Sequence, residues 1–533
     1  MLKEVNIEKV VEIDREAFYG VGVEIIELPE TLEDLNFLSF AYCESLKHVT
    51  IKSKLYEIPQ SCFIGCSNLE SVDFPLSLRK ICYDAFKECN SLSQVSWGNV
   101  ETIQSHAFEN AGFVDLTMPV SLKKIDFDAF KGCLNLKKVD LTATSILTLN
   151  GFYRCESLKQ VLLPQKLQEI ENGCFKDCSE LEEIEFPTTL NKISRMSFSD
   201  MTKLKEIDFS KTMVHVIPDY CFYGCQSLVK VILNEATDSI ENGAFNGCSA
   251  LSELLNCSNI KIVYADAFKD TKLFDGATDK GPVMVGSAMY RYNGTIEDKE
   301  YTVPSGVTCL CDGVFANFNF QAIKLNDGLL YIGDRAFDNC TNLVSLSIPG
   351  SVNYVGGSAN CKSLTAFTVQ TGDGQLSLGE FSGSPIKKLT LKRNLTSSCN
   401  WMPKLESLII GKEVKTLWGN SFESSENLVN LELLDSDKKL SLGTLPINHV
   451  QSLYLGRNIC DLKSSKKGEL FSSFKELSLL TKLTLSGDID FYNSFRLRFY
   501  VLNNIPISEI HKIIKKVPLD DKIVKFIQEN KEN

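Results

Sequence analysis

One phenylalanine recurs every 22 to 24 residues through the first half of this chain. The intervals between successive copies are 22, 23, 23, 22, 22, 22, 23, 23, 24, 23 and 23. A fixed period in the twenties is typical of a solenoid, in which each repeat is one small unit stacked on the next. The recurring residues are Phe18, Phe40, Phe63, Phe86, Phe108, Phe130, Phe152, Phe175, Phe198, Phe222, Phe245 and Phe268.

The repeat itself predicts short strands. Its consensus is F-x-x-C-x-x-L-x-x-[VI]-x-[FL]-P-x-x-L-x-x-I-x-x-x-[AC]-F, in which Leu69, Val72 and Phe74 show the alternation of a strand with one buried face. Pro75 ends that strand because proline has no amide hydrogen for the ladder. Leu78 and Ile81 supply a second apolar pair on the opposite wall. We therefore predict a mainly β repeat solenoid of stacked short parallel strands, with about twenty coils of 22–24 residues.

The segments DAFKECNSL, DAFKGCLNL, GAFNGCSAL and RAFDNCTNL carry a resemblance to a known family. With the L-x-x-[LVI]-x-[LVI] strand they resemble the BspA-like leucine-rich repeats of bacteria and some protists. The resemblance covers nearly the whole chain and implies a leucine-rich repeat fold. It implies little about function, because such repeats carry many binding roles. Surface members of the family are usually exported.

The rhythm divides the chain into five segments. Residues 1–13 are predicted to form an N-terminal cap, 14–274 a first leucine-rich repeat array and 275–307 a β-hairpin insert or joint. A second, degenerate array follows over 308–488, and 489–533 is predicted to be a C-terminal helical cap, since Ile510, Ile513, Ile514 and Val517 share one helical face.

Two interpretations of the insert stay open. The segment MVGSAMYRYNGT matches a hairpin pattern often seen in bacterial members of the family. It is either a structural joint between two arrays or a binding protrusion that displays Tyr290 and Tyr292.

Charge and cysteine content exclude some function classes. The formal net charge of -12 argues against general nucleic-acid binding. Residues 1–300 hold 45 acidic and 30 basic residues, whereas 301–533 hold 23 and 26. Ten of the nineteen cysteines occupy one repeat position and are predicted to form a column of buried, reduced thiols: Cys43, Cys66, Cys89, Cys133, Cys155, Cys178, Cys225, Cys248, Cys340 and Cys361.

Location is inferred from the same features. The odd cysteine total favours a reducing compartment. The N-terminal sequence lacks a run of signal-peptide length, and no stretch reaches eighteen apolar residues. We therefore expect a cytoplasmic protein, with the cell surface as the alternative.

Outward-facing strand positions form two predicted columns along the solenoid, about 4.8 Å apart per coil. Glu183, Glu185, Glu206 and Asp208 fall on adjacent rungs and are predicted to form an acidic patch; Asp140 lies in one of these columns two coils earlier. A basic segment or a divalent cation could relieve the repulsion between these carboxylates. The alternative is a solvated face relieved by Lys203 and Lys205.

No catalytic motif, phosphate loop, metal spacing or cofactor fingerprint occurs in the sequence, so neither an enzyme nor a cofactor is expected. The leading hypothesis is a non-catalytic protein-protein interaction scaffold with a protein partner. The alternative is a cell-surface or released adhesin-like protein that binds host or matrix proteins. The oligomeric state stays open.

Overall fold

A computed structural model describes residues 5–295, 298–396, 398–417, 422–438, 440–442, 449–456, 459–461 and 482–485. It divides into two compact units, Met1–Thr278 and Asp279–Asn533. Both are parallel β-solenoids with almost no helix, which confirms the predicted fold class. The predicted C-terminal helical cap lies outside the described residues.

Most coils of the first unit carry two short strands on different walls, which we call the A strand and the B strand. The A strands come from the L-x-x-V-x-F segment and the B strands from the L-x-x-I segment. The A strands are Ile25–Leu28, His48–Ile51, Ser71–Asp73, Gln94–Ser96, Asp115–Thr117, Lys138–Asp140, Gln160–Leu162, Glu206–Asp208, Lys230–Ile232 and Glu253–Leu255. The B strands are Glu12–Ile13, Asp34–Leu35, Glu57–Ile58, Lys80–Ile81, Thr102–Ile103, Lys124–Ile125, Thr148–Leu149, Glu169–Ile170, Lys192–Ile193, Val216–Ile217, Ser239–Ile240 and Ile262–Val263.

A turn centred on the repeat phenylalanine closes each coil of the first unit. Residues two positions before and two positions after the phenylalanine take a left-handed backbone, as at Asp84 (φ 54°) and Glu88 (φ 62°) around Phe86. This geometry points the turn amides at the next coil: the Phe86 N–H donates to the Ala107 carbonyl at 2.7 Å and the Glu88 N–H to the Glu109 carbonyl at 2.8 Å. The turns thus form a third parallel hydrogen-bond ladder beside the two strand walls.

The predicted buried column of thiols is confirmed. All ten repeat cysteines are buried, and each thiol donates to the carbonyl of the phenylalanine one coil earlier, at Sγ–O distances of 3.0 to 3.4 Å. The twelve phenylalanine rings of the first unit stack on one another with centroids 5.0 to 5.9 Å apart. The two repeat residues therefore act together. Phenylalanine forms the ring stack, and cysteine ties each coil to the preceding one through its hydrogen bond.

The second unit opens with an antiparallel pair, Gly281–Val285 and Ala288–Asn293. Its A strands form one nine-stranded parallel sheet: Glu300–Thr302, Ala322–Lys324, Ser345–Ile348, Ala366–Val369, Lys388–Leu391, Ser407–Ile410, Asn430–Leu433, Ser452–Leu455 and Lys482–Leu485. Its B strands extend the hairpin into a six-stranded sheet: Cys309–Leu310, Tyr331–Ile332, Tyr354–Val355 and Ser377–Leu378. Two further pairs join Ser358–Ala359 to Phe381–Ser382 and Leu440–Leu442 to Ile459–Asp461. One short 3-10 helix, Cys257–Asn259, lies in the first unit.

Candidate interaction face on the A strands

The A strands of the first unit present a regular exposed surface, which we call the A face. Alternation along Asp115–Thr117 buries Leu116 and exposes its two neighbours. Parallel register repeats this arrangement on the next coils, where Leu116 pairs with Val139 and Val139 with Val161. The A face consists of the first and third residue of each A strand together with the residue just before it.

The coil that carries Glu183 and Glu185, which we call the acidic coil, interrupts the A-strand sheet. We expected a strand over residues 183–185, and this is wrong: the structure assigns none there. One three-stranded sheet ends at Gln160–Leu162 and the next begins at Glu206–Asp208. In register, Glu183 would face Glu206 and Glu185 would face Asp208. Like charges directly opposite each other disfavour strand pairing on this side.

The lysines expected to relieve the acidic patch pair with other carboxylates. Lys203 lies 2.7 Å from Glu180, and Lys205 lies 2.5 Å from Glu182. Both acceptors belong to the acidic coil but not to the patch, because neither is one of its four carboxylates. Neither lysine therefore forms an ion pair with a carboxylate of the patch among the described residues. The sequence shows the charges, but not which carboxylate each flexible side chain reaches.

Within the patch, the four carboxylates differ in their partners. Glu206 is held by Lys230 of the next coil at 2.9 Å. Asp208 accepts a hydrogen bond from the Ser210 N–H at 2.7 Å; burial alone would raise the pKa of Asp208, but the hydrogen bonds from Ser210 lower it overall. Glu183 and Glu185 are exposed, and neither has a hydrogen-bond or ion-pair partner in the part of the chain that the structure describes.

Asp140 stands apart from these carboxylates. It accepts hydrogen bonds from the Thr142 hydroxyl at 2.7 Å and from the Thr142 N–H at 3.0 Å, and both lower its pKa. In the sheet register it pairs with Leu162, which separates it from the acidic coil. Asp140 therefore lies outside the predicted acidic patch.

Tyr292 is not displayed on a protrusion, contrary to one interpretation of the insert. Its ring is only 7% exposed and packs against Tyr301 at 4.5 Å and Phe318 at 5.2 Å. Burial, together with a 3.0 Å hydrogen bond that its hydroxyl donates to Asp298, raises the pKa of Tyr292 to about 12. Tyr292 is a core residue of the second unit because the hairpin folds its aromatic strand inward. Tyr290 is half-buried.

Lysines next to the acidic coil were missed as interaction candidates. Lys137 and Lys138 lie on the coil two before it, and neither makes a salt bridge among the described residues. Lys159, one coil before it, lies only at the edge of ion-pair range, 3.9 Å from Glu180. The available signal was the residue immediately before each A strand, which is lysine on both coils that precede the acidic one, at Lys137 and Lys159. The A face thus places a basic stretch directly beside an acidic one.

Two further properties bear on chemistry. Among the described residues, no group of three or more histidine, cysteine, aspartate or glutamate side chains is arranged to hold a metal ion. A search of the same residues for helices long and apolar enough to cross a membrane finds none.

The stacked parallel coils, with leucine-lined walls and phenylalanine-centred turns, define a leucine-rich repeat solenoid. Four segments, residues 1–113, 98–178, 145–274 and 286–402, match the family described as a BspA type leucine rich repeat region with six copies. These segments span well over half of the sequence. The chain belongs to the BspA-type leucine-rich repeat family.

Several solved structures are similar to this chain. A leucine-rich repeat protein from Bacteroides ovatus shares 21% identity over 83% of this chain and 92% of its own, with a TM-score of 0.39. A Treponema pallidum leucine-rich repeat protein shares 24% identity over 37% and 71%, with a TM-score of 0.24. A leucine-rich cell surface protein from Faecalibacterium prausnitzii shares 18% over 74% and 85%, also at 0.24. These TM-scores are too low to tell us more about this chain. No curated protein matches it.

Proposed function

We propose that this protein is a non-catalytic scaffold that holds a protein partner on the A face of its first unit. The observation that carries the proposal is the pair Glu183 and Glu185. Both are exposed and lack a partner among the described residues, while Glu180, Glu182 and Glu206 around them are each held by a lysine. Unneutralised like charges on one coil cost stability, and a bound cationic group would remove that cost.

The chemistry of the patch favours a partner with a basic contact segment. Lysine and arginine side chains on that segment would pair with Glu183, Glu185 and Asp208. Such exposed pairs are individually worth about 0.2–1 kcal/mol and are screened by salt. Charge would therefore act mainly on partner choice and association rate, and neighbouring A-strand side chains would supply the remaining contact area.

We place this scaffold in a reducing compartment as part of the proposal. The ten column thiols support that placement, because each one donates into the turn of the previous coil from a fully buried position. Burial raises the pKa of Cys89, Cys178 and other column thiols well above the usual value, which keeps them protonated and unreactive. Oxidation of a column thiol would remove the donor that ties two coils together.

Affinity capture from the source cells tests the scaffold proposal. The tagged chain would be compared with a variant in which Glu183, Glu185, Glu206 and Asp208 are all changed to serine. We expect a partner that is captured by the natural sequence and lost from this variant, with stronger loss at higher salt.

The matched control removes the same charge elsewhere. Glu30, Glu33, Glu88 and Glu235 are exposed and make no salt bridge among the described residues, so changing all four to serine alters net charge equally. This control should keep the partner. Equal capture by the patch variant and the natural chain would overturn the proposed contact, and equal loss in both variants would reduce it to a net-charge effect.

A further inference from the structure

Three pairs of charges on the A face are complementary about a line between the Gln160–Leu162 strand and the acidic coil. Counting outward from that line, the first-position residues are Gln160, Lys138 and Asp115 on one side. On the other side they are Glu206 and Lys230, preceded by Glu183 at the equivalent position of the acidic coil. Each basic residue on one side thus has an acidic residue at the same distance on the other, and the reverse holds for Asp115 and Lys230.

The column just before the A strands supports the same line. Lys159 and Glu182 lie on opposite sides of the line, each half a coil spacing away from it. Val114 and Val229 lie two coils further out on each side, and both are unusually exposed for valine, at 40% and 41%. A two-fold symmetric contact requires a surface that complements itself. Such a surface pairs unlike charges with each other, and apolar residues with each other, about one line.

We propose that the partner of the A face is a second copy of this chain, docked face to face about a two-fold axis parallel to the A strands. This goes beyond the proposed function, because the second copy contacts Glu182 and Glu206 of the same face and places Gln160 and Leu162, not cations, opposite Glu183 and Glu185. The rotation places Lys138 of each copy against Glu206 of the other, Asp115 against Lys230, and Lys159 against Glu182. Val114 meets Val229 at both ends, so apolar contacts flank the ion pairs.

Three juxtapositions oppose the contact: Leu162 would face Glu185, and two like-charged pairs would meet, each moderated within its own chain. Lys137 would face Lys205, but Lys205 is held by Glu182 at 2.5 Å. Asp140 would face Asp208, and hydrogen bonds from Thr142 and Ser210 already stabilise the ionised form of each carboxylate. The contact strip spans six coils, roughly 25–30 Å at about 4.8 Å per coil, which places it in the class of small, transient interfaces below about 1,200 Å². We therefore expect weak, reversible association that salt suppresses.

Sedimentation velocity with purified chain and charge-reversed variants tests this. The natural chain should show concentration-dependent dimer at low salt and only monomer at high salt. K138E/K159E and E182K/E206K each place like charges across the two-fold axis and should weaken self-association about tenfold or more. An equimolar mixture of these two variants should restore a dimer, because every reversed charge then meets an unlike one. K166E is a single-site control: Lys166 is exposed on the Lys159 coil and makes no salt bridge among the described residues.

The outcomes separate this inference from the scaffold proposal. A natural chain that stays monomeric at low salt, reversed variants that still self-associate, or a mixture that fails to restore the dimer would each overturn the second copy as partner. If a foreign protein is captured through the acidic patch while the chain stays monomeric, the scaffold proposal stands without self-association. Circular dichroism of each variant shows whether the fold is kept.

Discussion

The two units solve the same stacking problem with different contacts. In the first unit, eleven phenylalanine ring pairs lie nearly parallel, and the A strands are divided into separate sheets of four, three and three strands. In the second unit the A strands form one continuous nine-stranded sheet, while the ring stack loosens to 6.0 Å at Phe315–Phe337 and 6.4 Å at Phe337–Phe381. Order therefore comes mainly from the turns in the first unit and mainly from the strand wall in the second.

The corner after each B strand shows a second difference. In the second unit this corner is glycine, at Gly333, Gly356 and Gly379. A Cβ on Gly379 would lie 2.3 Å from the Gly357 nitrogen, and one on Gly356 would lie 2.5 Å from the Asp334 Cα. In the first unit the same corner holds larger residues such as Gln104. Backbones thus approach most closely where the phenylalanine stack no longer sets the coil spacing.

The largest expected effect comes from removing this close approach. Gly379→Ala would force a methyl group into the backbone of the preceding coil, which cannot move like a flexible side chain. We expect a loss of about 3 kcal/mol or more in local stability of the second unit, since overpacking typically costs 1–3 kcal/mol even where side chains can yield. Hydrogen exchange of peptides from each unit measures this separately. Gln104→Ala, at the same corner of the first unit, should change stability by less than about 0.5 kcal/mol; equal costs would show that the corners do not differ.

A buried arginine bridges coils of the second unit and gives the next largest effect. Arg393 is 2% exposed and donates to the carbonyls of Gly350 at 2.8 Å, Pro349 at 3.3 Å and Val352. Burial lowers its pKa, and backbone carbonyls rather than a carboxylate receive its charge. Arg393→Met should cost about 3 kcal/mol, because it leaves buried carbonyls without donors at 1–3 kcal/mol each. Hydrogen exchange should rise around residues 349–352; unchanged exchange there would mean the bridge does not hold these coils.

Substituting the ring at one position in each unit sharpens the comparison of the stacks. Phe130 and Phe337 are both fully buried, but Phe130 stacks at 5.3 and 5.4 Å with near-parallel rings, whereas Phe337 has looser, tilted neighbours. Both leucine variants lose apolar volume. Phe130→Leu also loses two good ring pairs, each worth about 0.5–1.5 kcal/mol. Phe130→Leu should therefore lower the free energy of unfolding by about 1 kcal/mol more than Phe337→Leu. Hydrogen exchange followed over a urea titration measures this for each unit. The opposite order would place the stronger stack in the second unit.

These differences also mark how far sequence reasoning reaches. Sequence reasoning predicted the period, the strand walls and the thiol column because each follows from residues that recur along the array. Neighbouring copies of the repeat then support the same structural prediction. Arg393 was not predictable, because its acceptors lie two coils away. The burial of Tyr292 was missed because alternation shows two faces of a hairpin but not which of them folds onto the core.

The candidate site was predictable in position but not in detail. Spacing alone brought Glu183, Glu185, Glu206 and Asp208 to one face, since coil register fixes which positions are neighbours. It did not reveal that the sheet is interrupted at the coil of Glu183 and Glu185, or that Lys203 and Lys205 are engaged by Glu180 and Glu182. Charge pairing depends on the reach of long side chains between coils, which a one-dimensional repeat does not encode.

The smallest expected effects have opposite signs in the two units and concern pH. In the second unit, Lys280, the Thr295 N–H and the Tyr292 hydroxyl lower the pKa of Asp298 from its usual 3.8 to about 2. Its stabilising contribution is present above pH 3.8 and is lost as the pH falls toward 2. In the first unit, burial raises the pKa of Asp128 above 3.8, so its contribution is present below that value and is lost as the pH rises.

Asparagine variants isolate the two contributions, because an amide resembles the protonated carboxyl at every pH. We compare the free energy of unfolding of each variant with that of the natural chain and take the difference at pH 2 as the reference. As the pH rises through 3.8, this difference should move against Asp298→Asn. Asp128→Asn should become more stable over the same rise. Urea titrations at closely spaced pH values measure both differences against the natural chain. Parallel curves for the two variants would contradict the opposite environments of these carboxylates.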